Sequence, residues 1–143
     1  MAVRMELARI LIRELTDYQL IELREVMEDE QDAQDEPRSF PIVIGLPEAQ
    51  AIERRLKGIA IKRPQTHDLL ANVITQLGGT LESITITDLS DQTFFATLDV
   101  RHTDGEVLHI DSRPSDAIAL GIANDVPIYV AEHVLDAAMT DTN

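Results

Sequence analysis

The sequence contains no cysteine, which rules out a disulfide framework and any cysteine-based zinc site. Aromatic residues are almost as scarce. Tyr18, Phe40, Phe94, Phe95 and Tyr129 make up 3% of the chain, too few for a platform on which single-stranded bases stack. Long apolar runs are missing as well. The opening "MAVRMELARILIREL" is interrupted by Arg9 and Arg13, so neither a signal peptide nor a membrane span is expected, and the cytoplasm is the expected location. Basic residues are outnumbered, 12 against 26 acids, for a net charge of −14. That balance opposes nucleic-acid binding by whole-molecule attraction, which depends on Lys and Arg neutralising phosphates. With 143 residues the chain has the length of one domain, able to bury roughly 70% of its unfolded surface.

The charge is unevenly placed. "EDEQDAQDE", residues 28–36, holds six acids and no base, and its composition predicts an exposed loop. "RRLKGIAIKR", residues 54–63, holds five of the twelve basic residues and no acid: Arg54, Arg55, Lys57, Lys62 and Arg63. A polyanion could dock on that local patch against the surrounding field.

The remaining pattern alternates between strand and helix. "ARILIREL" and "QLIELREV" alternate apolar with polar residues around the turn signal "TDY". "SFPIVIGL" reads as a short apolar strand. "PEAQAIERRLKG" places Pro47 in the first turn of a helix and Gly58 at its end. In "THDLLANVITQLGG", Thr66 is the expected N-cap, and Leu69, Leu70, Val73, Ile74 and Leu77 form an apolar face. Gly78 and Gly79 stop that helix.

The second half repeats this order. "SITITDLS" and "TFFATLDVRH" are strands split by "DQ", and "GEVLHIDS" is a third strand after the turn "TDG". "RPSDAIALGIANDV" is a helix, "PIYVA" a short strand, and "EHVLDAAM" a last helical turn or two. Three strands followed by helical segments thus occur twice, with "IVIGLPEAQAI" and "LHIDSRPSDAI" at corresponding places. The fold class expected is α+β in one domain, a mainly antiparallel curved sheet with helices packed on it. Strands such as "TFFATLDV" are expected to offer edges that a symmetric dimer would cover.

Five segments, "FPIVIGLPEAQAI", "RPQTHDLL", "DQTFFATL", "IDSRPSDAIALG" and "PIYV", carry a family resemblance. In order and spacing, from about Phe40 to Val130, the chain resembles the bifunctional nuclease family, small domains that cleave both DNA and RNA. The resemblance implies a barrel-like sheet built from two β3α2 repeats. It also implies a nuclease that hydrolyses phosphodiesters of DNA and RNA. The acidic run at 28–36 is more charged than the family pattern requires.

Two readings of "DSRPSD" stand side by side. In the first, it only starts a helix. Ser112 caps the amide of Ser115, Pro114 sits in the first turn, Asp116 complements the helix dipole, and Arg113 pairs with Asp111 or Asp116. In the second, Asp111 and Asp116 ligate one Mg²⁺ or Mn²⁺, and Arg113 clamps the scissile phosphate. His67 and Asp68 form a further candidate pair, since histidine is the usual general base near neutral pH. Neighbours on a helix point about 100° apart, so these two do not face each other. His109 shares a strand face with Asp111.

Other chemistries lack their residues. The chain has no GxxxxGK(S/T) or GxGxxG phosphate cradle, no GxSxG elbow, and no paired histidines at zinc spacing. Two function classes remain. One is a divalent-metal-assisted nuclease with Asp111, Arg113, Asp116, His67 and Asp68 in its site. The other is a non-catalytic, self-associating binding module in which "DSRPSD" is structural.

Overall fold

The structure, a computed structural model, describes residues 1–13, 15–16, 18–27 and 36–141. The acidic run at 28–36 therefore lies, apart from Glu36, outside the described residues. The described chain forms β1 (Ala2–Leu11), β2 (Gln19–Glu25), β3 (Ser39–Ile44), α1 (Leu46–Leu56) and α2 (Thr66–Gln76). It continues with β4 (Thr80–Ser90), β5 (Thr93–Arg101), β6 (Val107–Ser112), α3 (Pro114–Asn124), β7 (Ile128–Ala131) and α4 (Glu132–Asp141).

The strands form one sheet in the order β3-β2-β1-β7-β4-β5-β6. Each half contributes an antiparallel meander, and β7 joins them, antiparallel to β1 and parallel to β4. This is the α+β class that the alternating pattern implies. The sheet is open, because β3 and β6 are its two edges. It nevertheless curls far enough for Phe40 of β3 to stack on Phe94 of β5, ring centroids 5.6 Å apart.

Local sequence explains most of the punctuation. The β4–β5 hairpin turns through Asp91 and Gln92, both at positive φ, the two-residue geometry that matches strand twist. Gly58 ends α1 and Gly78 follows α2, both in the left-handed region that a side chain disfavours. The core draws on both halves. Ile21, Leu23, Phe40 and Ile52 pack in one cluster with Ile84, Ile86, Ile118, Leu120 and Leu135. Each such burial stabilises the fold by roughly 1.5–3 kcal/mol before entropy is counted. Arg38 ties β2 to α4, bonding Glu25 at 2.9 Å and Glu132 at 2.8 Å.

Several expectations need correction. "TFFATLDV" is no edge: β5 is hydrogen-bonded to β4 on one side and β6 on the other. The first strand lies earlier than "ARILIREL", because its Ala2–Met5 half is fixed by pairing with β7, whose residues Ile128–Ala131 lie at the far end of the chain. The last helix is ten residues long rather than a turn or two. The apolar face expected on α2 is covered only in part, with Ile74 packed against the core. No α2 residue is buried, Leu69, Leu70 and Val73 are exposed, and Leu77 just beyond the helix is 76% exposed.

Candidate active site

Two helix starts carry the site. α1 and α3 each follow a strand and each begin with a proline in the first turn, whose missing N–H has no partner to lose there. Counted from Leu46 and Pro114, the third helical residues are Glu48 and Asp116. Acids at this position face the positive end of the helix dipole. The two first turns are brought together by Arg113, which donates through Nε to Asp116 Oδ2 at 2.8 Å and through a terminal nitrogen to Glu48 Oε1 at 2.7 Å. Both carboxylates hold the guanidinium pKa above its ordinary value, the Asp116 bond most of all.

His67, from the first turn of α2, completes the cluster. Its Nε2 lies 2.9 Å from Asp116 Oδ1. Burial opposes ionisation of Asp116, but the bonds from Arg113 and His67 outweigh it and hold the carboxyl below the usual Asp range. An ionised carboxylate only accepts. His67 therefore carries its proton on Nε2, and a neutral ring keeps its lone pair on Nδ1. This is the arrangement in which a carboxylate orients a histidine for general-base work.

The histidine opens on a cleft of about 250 Å³ between α1 and α2, lined also by Arg54, Arg55, Gln65 and Asp68. Arg54 bonds the Gln65 side chain, and Arg55 bonds the backbone carbonyl of Ala123 on α3. Lys57 pairs with Glu53 at 3.5 Å. Lys62 and Arg63 are exposed and make no ion pair among the described residues.

The expected site is thus partly assembled. His67, Arg113 and Asp116 come together; Asp111 and Asp68 do not join them. Asp111 pairs across the ladder with Thr97, whose neighbours Leu98 and Ala96 face the core, so Asp111 projects from the opposite face of the sheet. Asp68 turns back to accept the Gln65 N–H at 3.1 Å, a capping role. Gln65, not Thr66, is the N-cap of α2. Ser112 does not cap α3 either: Arg113 holds the N-cap position, and the Ser112 hydroxyl donates to the Arg113 carbonyl. Among the described residues, no three His, Asp or Glu side chains converge as a metal cage. Glu48 and Asp116 each give an oxygen to Arg113, whose positive charge would repel a cation beside it, so this donor set does not suit a resident Mg²⁺ or Mn²⁺.

Glu48 escaped the sequence reading although it occupies the helix position equivalent to Asp116. Gly45 makes room for it: a Cβ there would lie 2.6 Å from Glu48 Oε2. Asp99 escaped as well. It is buried, accepts hydroxyl bonds from Ser83, Thr85 and Thr97 at 2.7–2.9 Å, and lies 2.8 Å from His109 Nδ1.

A family model described as the bifunctional nuclease domain matches residues 28–143. Uncharacterized proteins from two strains of Mycobacterium tuberculosis are each 41% identical to this chain over 101 residues. The match covers 71% of this chain and 59% of each relative, so the chain spans well under two thirds of the length of these relatives.

Proposed function

We propose, from the premise that the chain belongs to the bifunctional nuclease domain family, that it hydrolyses phosphodiester bonds of DNA and RNA with His67 as general base. The observation that carries this reading is the 2.9 Å contact between His67 and Asp116. It joins the two most distinctive segments, "THDLL" and "DSRPSDAIAL", at the rim of a cleft lined by two arginines. His67 Nδ1 takes a proton from water, whose oxygen attacks phosphorus. The P–O bond to the leaving group breaks, and solvent protonates the departing oxygen. Asp116 orients the imidazole and stabilises its positive charge, and the Glu48–Arg113 pair holds Asp116 in place. Arg54, Arg55, Lys57, Lys62 and Arg63 draw the phosphate backbone onto a molecule that otherwise repels it.

No step is routed through a metal. Mg²⁺ or Mn²⁺ arriving with the phosphate would supply charge neutralisation and a more acidic bound water. The test is cleavage of single-stranded DNA and RNA by highly purified protein, with Mg²⁺, with Mn²⁺ and with EDTA. Cleavage is expected in at least one divalent condition, and its absence in all of them removes the proposal.

One observation favours a second reading, a non-catalytic, self-associating module. Arg113 is bonded by both Glu48 and Asp116, which is what a structural clasp requires. In that case the same assay gives no cleavage, and Arg113→Ala changes stability alone. Among the described residues no helix is long and apolar enough to cross a membrane. A place in the cytoplasm is part of the proposal.

A further inference from the structure

A second cavity, of about 470 Å³, shares no residue with the His67 cleft. It is lined by β3 and Gly45, by the first residues of β5 and by the start of α3. Its volume lies in the range of about 300–1,000 Å³ common for small-ligand sites. Pro41, Val43 and half-buried Phe94 give it apolar walls, and Tyr18 adds an exposed ring.

The start of α3 gives the same cavity a polar wall. Pro114 has no N–H, and the amides of Ser115 and Asp116 belong to the first turn, where no helix carbonyl reaches them. Ser115 is only 7% exposed, yet its hydroxyl has no hydrogen-bond partner among the described residues. Every fully enclosed side-chain nitrogen or oxygen among those residues has a partner. The Ser115 hydroxyl is therefore not enclosed, and it opens on the cavity that the residue lines. Arg113 lines that cavity too. Its Nε and Nη2 bond Asp116 and Glu48, and its Nη1 bonds no described residue. A hydroxyl, two helix-start amides and a guanidinium nitrogen are all donors, which is the set that receives anionic oxygens.

We propose that this cavity holds one nucleotide of a single strand, adjacent to the nucleotide whose phosphate is cut. The base lies on Tyr18 between the apolar walls, and its phosphodiester meets Ser115, Arg113 and the start of α3. The adjacency rests on the nuclease reading. Asp116 gives Oδ1 to His67 and Oδ2 to Arg113, so imidazole and guanidinium flank one carboxylate. A strand with its scissile phosphate at His67 thus carries the next nucleotide to Arg113. Charge selects the strand over a free nucleotide. Glu48 and Asp116 share the guanidinium, so a singly charged diester fits better than a nearly doubly charged monoester. A single ring serves a single unpaired base, which a duplex keeps in its stack.

The probe is hexathymidylate, titrated calorimetrically in EDTA and checked afterwards for intactness. Tyr18→Ala should weaken binding at least about 5-fold, and Ser115→Ala about tenfold. Ser115→Ala should leave the melting temperature unchanged, because its hydroxyl has no protein partner to lose. Thymidine 5′-monophosphate and a duplex of the same sequence should both bind more weakly than the single strand. The proposal is overturned if the unmodified protein does not bind hexathymidylate, or if Ser115→Ala and Tyr18→Ala bind it as the unmodified protein does. Thymidine 5′-monophosphate bound as tightly as the strand would overturn the assignment to a strand. These failures are distinct from failure of the nuclease reading, which is absence of cleavage by the unmodified protein in every divalent condition. Loss of binding in both variants without any cleavage would leave the nucleotide site standing and remove the scissile position beside it.

Discussion

His67 Nε2 and Asp116 Oδ1 lie 2.9 Å apart although 49 positions separate them in the chain. The contact joins the first turns of α2 and α3. Through Arg113 it extends to Glu48 on α1, so three helix starts share one polar cluster.

Arg113 is the clasp of that cluster, and its removal leaves Glu48, nearly buried, close to a second carboxylate without the cation between them. Hydrogen bonds to charged groups contribute about 1.5–3 kcal/mol, and the exposure of the Arg113 side chain discounts that figure. Arg113→Ala should therefore destabilise by about 1–2 kcal/mol, lowering the melting temperature by roughly 3–8 °C. Thermal unfolding followed by circular dichroism checks this, and an unchanged midpoint would count against the clasp.

Acid should weaken the fold through two carboxylates. Burial opposes ionisation of Asp99, but the bonds from Thr85, His109, Ser83 and Thr97 outweigh it, so its folded pKa lies below the unfolded value. Asp116 is shifted the same way. A depressed carboxylate pKa contributes stability that is complete above the unfolded value of about 3.9 and is lost as pH falls through the folded value. Melting temperature should be flat near neutrality with respect to these two groups and drop below about pH 4. Asp99→Asn should lower it at neutral pH and make the acid drop shallower. A parallel drop in both proteins would show that Asp99 does not drive it.

Lys62 and Arg63 are the members of the basic run with neither an ion pair nor a side-chain hydrogen bond among the described residues, and so should be the freest to meet phosphate. Reversing both to Glu should weaken binding to single-stranded DNA and RNA alike and reduce the salt slope by about 1.4, roughly 0.7 per lost phosphate contact on a single strand. Fluorescence anisotropy across a salt series measures it. An unaltered slope would place the nucleic acid elsewhere.

Much of this fold was legible because its punctuation is local. Pro47, Pro114, Gly58, Gly78 and the Asp91–Gln92 turn each act within a few residues of themselves. The position of β7 between β1 and β4 was not legible, since it is set by pairing across the whole chain. The apolar face of α2 was legible as a pattern, but how little of it is covered was not. Periodicity reports that a face is apolar, not what covers it. At the site, His67 and Asp116 stood out singly, each in a distinctive segment, but their union depends on how α2 lies beside α3. Glu48 could have been found from its place in the first turn after a proline, matching Asp116. Asp99 could have been found from hydroxyls alternating in "SITIT" opposite "TLD", which line one face of a hairpin.

The His67–Asp116 pair is tested most directly by the rate of DNA and RNA cleavage in matched preparations of the unmodified protein, His67→Gln and Asp116→Asn, each first shown to be folded. General-base catalysis is worth roughly 10²–10⁴-fold, so His67→Gln should lose at least about 10²-fold, with Asp116→Asn falling in the same direction by a smaller factor. Both losses should appear in the cleavage rate while nucleic-acid affinity changes little. Cleavage at the unmodified rate in folded His67→Gln would contradict the assignment.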